Sequence, residues 1–233
     1  MDAETMEKTI QELRKKVAVL EDLEAIKRLQ RTYGYYLEHW LYQDIIDCFS
    51  DRPDSELNLR VGVYLGKEGV RNYFSGFRDT HSRNPELLHQ VMQLAGVVDI
   101  AEDGLTASGR WFGFGVVALP VSGGVNQAWA DGIYTAEYIK EDGTWKIWKI
   151  TWNPTMTADP TQGWVKPERL AEPGTPPPAP PCTPDKTRDI ETRYPSGYVT
   201  PFHYPHPVTG RPTTELEHNR AVMAKRSRQD AEK

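Results

Sequence analysis

The chain has 233 residues, and its 33 acidic residues outnumber its 28 lysines and arginines, which gives a formal net charge of -5. This balance, with no basic block before the C-terminal tail, argues against nucleic acid or an anionic membrane as the partner and favours a small molecule or another protein. Two cysteines are too few for a disulfide framework. The sequence also has neither the apolar core of a signal peptide nor the roughly 18 consecutive apolar residues of a membrane span. We therefore expect a cytoplasmic protein.

Residues 4 to 19 are the first predicted element, a short amphipathic helix. Its apolar residues are separated by three and four positions: Ile10, Leu13, Val17 and Leu20. The apolar phase then slips, because the next apolar position is Leu23, and either a bend near Glu21 or a change of packing partner would explain this. Two or three heptads are too few to establish a coiled coil, and packing on a neighbouring subunit stays open.

The stretch from Leu20 to Ser50 is the predicted central helix, because its apolar residues recur at helical spacing. Polar side chains are interleaved with them: Tyr33, Tyr36, Glu38 and His39. Tyr33 and Glu38 are five residues apart, about 140° around a helix, so both can border one cavity. The alternative is that Tyr33 is an ordinary core residue and that the others face solvent.

A sheet is predicted from residue 57 onward. Residues 57–64 alternate as one strand, and the aromatic-rich segment 67–77 predicts a helix that covers the concave side of the sheet. Four long strands follow between short turns and must pair as an antiparallel meander: HQVMQLAGVVDI, LTASGRWFGFGVVAL, QAWADGIYTAEYIK and TWKIWKITW. Glycines inside these strands permit bulges and strong curvature. The order of elements predicts an α+β fold, a cone-shaped roll of a curved antiparallel sheet packed against N-terminal helices.

Alternation with a period of two assigns the side chains of these strands to two faces. His89 and Gln93 share one face of the first long strand. Arg110 and Phe112 share a face of the next strand, opposite to Trp111. A guanidinium is costly to bury without a partner, so Arg110 either lines the cavity or lies on the solvated face of the sheet.

The last two strands are rich in aromatic residues. Tyr134 and Tyr138 share a face of the third long strand, whereas on the last strand Lys149 falls with Ile147 and opposite to Trp152. This high density of aromatic side chains would allow stacking against the aromatic rings of a ligand, although aromatic residues in strands more often belong to the hydrophobic core.

The proline-rich run 171–184 cannot join a helix or sheet and marks a boundary. The aromatic residues after it are typical of an arm that wraps over a surface, and a helix capped at Thr213 or Thr214 closes the chain. The sequence therefore predicts three parts: an N-terminal helix (1–19), an α+β domain (20–165) and a proline-rich C-terminal extension ending in a helix (166–233).

Several segments carry a resemblance to a known family: EDLEAIKRLQRTYGYYLEHWLYQDIIDCFSD, GVYLGKEGVRNYF, LLHQVMQLAGVVDIAEDGLTASGRW, and W-x-D-G-I-Y followed by EDG-x-W-K-I. From about Val19 to Asn153 the chain resembles the nuclear transport factor 2-like superfamily, in particular its SnoaL-like and scytalone dehydratase-like branch. That superfamily includes dehydratases, isomerases, cyclases and proteins that only bind, so the resemblance is informative about fold more than about function.

In enzymes of that branch, a histidine at the place of His89 serves as acid or base, and Tyr33 and Glu38 fall where those enzymes carry a tyrosine and an aspartate. The resemblance implies that His89, oriented by Glu38, moves a proton. Tyr33 and Tyr134 would bond substrate oxygens, and Arg110 would stabilise negative charge. The predicted substrate-binding residues are Tyr36, Gln93, Phe112, Tyr134, Trp152 and Asn153.

No sequence motif for a nucleotide, a flavin, a serine nucleophile or a zinc ion is present. His203, His206 and His218 lie in the tail and could in principle bind a metal, but the alternating prolines around His203 and His206 favour recognition or packing over metal ligation. We therefore expect neither a metal nor a cofactor, which leaves cofactor-free acid–base chemistry. Together with the resemblance, this implies a cofactor-independent carbon–carbon or carbon–oxygen lyase acting on a hydroxylated aromatic compound.

Within the branch, the layouts G-x-Y-x-G-K-E-G-V and W-x-x-G-x-Y and a trailing Gly163–Trp164 resemble bacterial γ-formaldehyde lyases of lignin-derived diarylpropanes or phenylcoumarans. The alternatives are a dehydratase or isomerase, a small-molecule binding protein without chemistry, and a scaffold dimer. By resemblance, we expect a homo-oligomer, either a trimer or a dimer.

Overall fold

A computed structural model describes residues 2–82, 84–121, 124–161, 163–164, 181–188, 192–194 and 196–231. The elements in these ranges are α1 Ala3–Glu38, α2 Tyr42–Asp47, β1 Glu56–Leu59, β2 Gly62–Leu65, α3 Gly66–Gly76, α4 Arg78–His81, β3 Leu88–Ile100, β4 Thr106–Val121, β5 Gly124–Glu141, β6 Thr144–Ala158 and α5 Glu215–Ala231. The predicted α+β class is confirmed. None of the helices in these ranges combines the length and the apolar character needed to cross a membrane.

The predicted central helix from Leu20 to Ser50 is interrupted, because α1 ends at Glu38 and a separate helix, α2, follows. Trp40 lies between them with a left-handed backbone, φ 47°. Its buried indole Nε1 donates a hydrogen bond to the carbonyl of Phe74 at 3.1 Å. Burial of this indole against α3 therefore turns the chain, and helical periodicity in the sequence does not report such a long-range contact.

The sheet has the strand order β2-β1-β6-β5-β4-β3. The four long strands form the predicted antiparallel meander, and β1 joins it parallel to β6. The single strand predicted over 57–64 is instead the hairpin β1–β2, which turns between Leu59 and Gly62. This hairpin adds an edge to the sheet beyond β6.

The face of the sheet that packs against α1 is called the inner face. Trp111, Tyr134 and Tyr138 lie on it with at most 6% of each residue exposed. The predicted alternation of β3 is confirmed, since Gln93 lies on the inner face and Met92, on the outer face, is 50% exposed. The inner face is therefore the only side of these strands on which α1 can enclose a ligand.

The predicted grouping of Lys149 with Ile147 is wrong. The register between β5 and β6 shifts here, so that Tyr138 faces Ile147 while Glu137 faces Lys149. Lys149 Nζ lies 3.2 Å from Glu137 Oε2 on the outer face. This bulge absorbs one residue at Trp148, which reverses the alternation of the residues that follow, as far as a second register shift at Thr155.

The segment comprising 181–188, 192–194 and 196–204 is called the C-terminal strap. Its residue Lys186 bridges to β2, where the amide of Val63 donates to the Lys186 carbonyl at 2.9 Å. Arg188 donates to the carbonyl of Trp152 on β6 at 2.9 Å. Most of the predicted proline-rich boundary, 171–184, lies outside the described residues. The helix α5 lies in the segment where the terminal helix was predicted.

Candidate functional site

His89, the predicted acid or base, projects from β3 toward the indole of Trp40, with ring centroids 6.0 Å apart. Its Nδ1 atom is buried and has no hydrogen-bond partner in the described part of the chain. Burial lowers the pKa of His89 to about 4, and the nearby imidazole of His81 adds to this effect. The side chain is therefore a neutral imidazole at physiological pH, and its Nδ1 atom is a buried polar atom without a partner in the described ranges.

His81 is a second buried histidine, and the sequence analysis did not single it out. It ends α4, is 3% exposed, and packs with its ring centroid 4.7 Å from that of Trp40. Thr80 Oγ1 lies 2.9 Å from His81 Nδ1. Burial lowers the pKa of His81, so it too is neutral at physiological pH. The helical spacing of Phe77 and His81, whose ring centroids are 4.6 Å apart, is a signal that could have placed it in the core.

Gln93 ends a chain of hydrogen bonds across the inner face. Trp111 Nε1 donates to the Tyr138 hydroxyl at 3.0 Å, and that hydroxyl donates to Gln30 Oε1 at 2.7 Å. Gln30 Nε2 in turn donates to Gln93 Oε1 at 2.8 Å. The remaining donor, Gln93 Nε2, is buried without a partner of normal hydrogen-bond geometry in the described ranges. This series of hydrogen bonds fixes the orientation of the Gln93 amide: Oε1 is used, and Nε2 is the atom left without a partner.

Gln30 was not predicted as a site residue, although it is fully buried. It occupies the core stripe of α1, between Ile26 and Tyr33 at intervals of four and three residues. A polar residue in the phase of a core stripe must find buried partners, and this phase is the sequence signal that would have found it.

Tyr33 and Tyr134 both lie on the inner side, as predicted. Burial raises the pKa of Tyr33 well above its ordinary value, and Tyr134 contributes to this. Burial also raises the pKa of Tyr134, against an opposing effect of the nearby Gln93 amide. Both hydroxyls therefore keep their protons and are hydrogen-bond donors. Trp152 packs against Tyr134 with ring centroids 4.4 Å apart and the ring planes tilted by 38°, so it contributes a second aromatic ring to the same side.

Glu38 does not contact His89 as expected. Its carboxylate accepts a hydrogen bond from Gln90 Nε2 at 2.8 Å. Gln90 follows His89 in β3 and projects to the opposite face, so the strand itself separates the Glu38 carboxylate from the imidazole.

Of the two faces that the sequence left open for Arg110, the structure places it on the outer one, which contradicts its predicted catalytic role in the cavity. Its guanidinium donates to the carbonyls of Thr200 at 2.9 Å and Pro201 at 3.0 Å. It also lies over the ring of Phe202, 4.2 Å from the centroid. The strap therefore provides hydrogen-bond acceptors and a ring contact for the guanidinium, which is not directed at the inner face.

Other predicted substrate contacts are also placed elsewhere. Phe112 is on the outer face and 54% exposed. Asn153 is buried, and its Oδ1 accepts a hydrogen bond from Arg188 of the strap at 2.8 Å. Tyr36 is partly buried at the edge of the core. Within the described ranges, no group of three or more His, Cys, Asp or Glu residues is arranged to hold a metal ion.

The sequence was compared with models of known protein families. A family model described as a SnoaL-like domain matches residues 18–151, more than half of the chain. The chain belongs to the SnoaL-like domain family. No curated protein sequence matches it significantly.

Several solved structures are similar to this SnoaL-like protein. A proposed scytalone dehydratase from Novosphingobium aromaticivorans is 18% identical, with a TM-score of 0.50, and the match covers 62% of this chain and 91% of that one. A hexachlorocyclohexane dehydrochlorinase from Novosphingobium barchaimii is 19% identical, with a TM-score of 0.49, over 65% of this chain and 99% of that one. A Mycobacterium tuberculosis protein of unknown function is 19% identical, with a TM-score of 0.46, over 58% and 72%.

Proposed function

We propose that this SnoaL-like protein is a cofactor-independent lyase for a hydroxylated aromatic small molecule, bound between α1 and the inner face. The observation that carries the proposal is the pair of unpartnered polar atoms on one face of β3, His89 Nδ1 and Gln93 Nε2. Buried polar groups in proteins are nearly always hydrogen-bonded, and the exceptions tend to mark functional sites. A ligand oxygen beside each of these two atoms would supply its missing hydrogen-bond partner.

The spacing of these two residues along β3 sets the size of the ligand. His89 and Gln93 are four residues apart on an extended strand, about 13 Å at roughly 3.3 Å per residue. Aromatic rings flank each end: Trp40 lies beside His89, and the tilted pair of Tyr134 and Trp152 lies on the side of Gln93. Two aromatic rings joined by a short linker match this length and lining.

His89 is the proposed proton carrier. Because the pKa of His89 is lowered to about 4 by burial, its neutral form is available to accept a proton at any pH near 7. The imidazolium that results is a strong acid in the same surroundings, so it returns the proton readily to a leaving oxygen. Tyr33 and Tyr134 stay protonated and donate to substrate hydroxyls, while Gln93 Nε2 fixes the far end of the substrate.

The proposed reaction is γ-deformylation of a diarylpropane or phenylcoumaran. The base takes the proton of the γ-hydroxyl group, and the bond between the β and γ carbons breaks to release formaldehyde. The electron pair of that bond forms the stilbene double bond, and the oxygen on the α carbon leaves with a proton, as water or as a phenol. No electron acceptor is needed. Elimination of water alone, with a carbon-bound proton going to His89, is the related dehydratase reaction.

A non-catalytic binding role is the second candidate. It is favoured by one observation, that the Glu38 carboxylate is engaged by Gln90 and not by the imidazole of His89. An imidazole without a carboxylate partner is a weaker base, and the same two unpartnered atoms would then serve only to bind.

The deciding experiment incubates the purified protein with lignin-derived dimers that carry a γ-hydroxymethyl group. Stilbene absorbance and released formaldehyde are measured in parallel, with a His89→Gln variant as the control. Equimolar stilbene and formaldehyde support the deformylating lyase, and an alkene without formaldehyde supports the dehydratase. A raised melting temperature without turnover supports binding only. Dimers that neither react nor raise the melting temperature would overturn the proposal.

A further inference from the structure

The N-terminal half of α1 exposes an apolar stripe. Every residue from Asp2 to Glu21 is exposed. The large apolar side chains among them have exposed fractions between 42% and 62%. The residues of this stripe, called the seam, are Ala3, Met6, Ile10, Leu13, Val17 and Leu20.

The seam is not a continuation of the face that packs on the sheet. The core stripe of α1 runs through Ile26, Gln30, Tyr33 and Leu37. At about 100° per residue, the mean directions of the seam and the core stripe differ by roughly 160°. Since α1 is one helix of 36 residues, the slip of the apolar phase is a change of packing partner. The seam faces away from the side on which the body of the protein packs.

The seam has the spacing of a coiled coil. Its alternating steps of three and four residues place Ala3, Ile10 and Val17 at the a positions of a heptad and Met6, Leu13 and Leu20 at the d positions. β-Branched residues at a with leucine at d favour a parallel, two-stranded coiled coil. We propose that the seam pairs in parallel with the seam of a second copy of this chain.

One of the charge pairs beside the seam supports the same partner. Lys16 is at a g position, and Glu21 is at the following e position. In a parallel pair, Lys16 of each chain lies beside the partner's Glu21, which forms two symmetric attractive contacts. The core stripe is on the far side of each helix, so the two bodies flank the coiled coil without meeting. Helices in proteins owe most of their stability to packing of an apolar face, and this arrangement supplies the packing that the exposed half of α1 lacks.

The test measures the mass of the full-length protein in solution by analytical ultracentrifugation and light scattering. We expect the wild type to be a dimer at about 100 µM and a Leu13→Asp, Val17→Asp double variant to be a monomer, a twofold loss of mass. Both positions are exposed, so the variant keeps the fold, which circular dichroism verifies. Lys15→Asp, at the f position of the same helix, is the control and stays dimeric. A monomeric wild type, or a seam variant that stays dimeric, overturns the proposal.

Two further variants test the direction of pairing. Lys16→Glu should raise the dissociation constant of the dimer by about tenfold. Adding Glu21→Lys should restore the original value, because only the double change rebuilds the contact between chains. Under oxidation, Leu13→Cys should cross-link two chains through a d position, whereas Lys15→Cys should not. Absence of the Leu13→Cys cross-link in a dimeric sample would exclude the parallel register.

Discussion

The imidazole of His89 lies edge-on to the indole of Trp40, with an angle of 70° between the ring planes. The same indole also packs against His81 at an angle of 62°. Trp40 is held by its own hydrogen bond to the Phe74 carbonyl and by its position in the turn that ends α1. The residue that interrupts the first helix therefore sets the position of the proposed proton carrier.

Replacing His89 with glutamine tests its role directly. We expect a loss of about a hundredfold or more in kcat, because a positioned acid–base group typically contributes that much. Steady-state kinetics and a binding titration separate this loss from a change in affinity. Gln90→Ala is the matched control, since that neighbouring residue projects to the other face and contacts Glu38. If both variants lose activity equally, the effect is structural and the proton-transfer role is contradicted.

The pH dependence of stability should report the burial of His89. The pKa of the folded state, about 4, lies below the ordinary value of 6.5 because burial disfavours the charged form. Between these values the unfolded state binds more protons, so stability is fully present above pH 6.5 and falls as the pH drops toward 4. The expected loss is on the order of 3 kcal/mol. Urea unfolding at intermediate pH values measures it, and His89→Gln should flatten the curve. An unchanged slope in the variant would assign the titration to other groups.

Arg110→Met should loosen the C-terminal strap and leave the chemistry intact. The variant loses two hydrogen bonds to strap carbonyls and the contact with Phe202, so we expect about 1 to 3 kcal/mol of local destabilisation. Hydrogen exchange in residues 196–204 measures this effect. Arg71→Met, which removes an exposed pair with Glu68, is the control. A large fall in kcat with normal exchange would return Arg110 to the list of catalytic groups.

Tyr138→Phe should destabilise the fold more than an ordinary loss of a hydroxyl. It leaves Trp111 Nε1 and Gln30 Oε1 buried without partners, and each such group costs about 1 to 3 kcal/mol. Thermal and urea unfolding measure the change. Tyr35→Phe, at a position that is 70% exposed, is the control and should alter stability little. Equal effects of the two variants would mean that the hydrogen-bond chain contributes nothing to stability.

Some features of the site were predictable because they depend on local alternation. The placement of His89 and Gln93 on one face of β3, and of Tyr134 and Tyr138 on one face of β5, follows from the pleat of a strand. Gln30 was missed although its phase in the core stripe was readable, since most polar residues on helices are exposed. The assignment of Lys149 failed because a bulge breaks the alternation that the prediction relied on.

The sequence by itself determined the α+β order of elements, the antiparallel meander and the residues that share a strand face, since each depends on neighbours within a few residues. Only the tertiary structure decided that Trp40 ends α1, that Glu38 bonds to Gln90, and that the strap satisfies Arg110. Those outcomes depend on contacts between residues 34, 52 and 90 positions apart. A charged or hydrogen-bonding side chain pairs with a group that the fold brings close to it. Local patterns in the sequence cannot predict that partner, because it is distant along the chain.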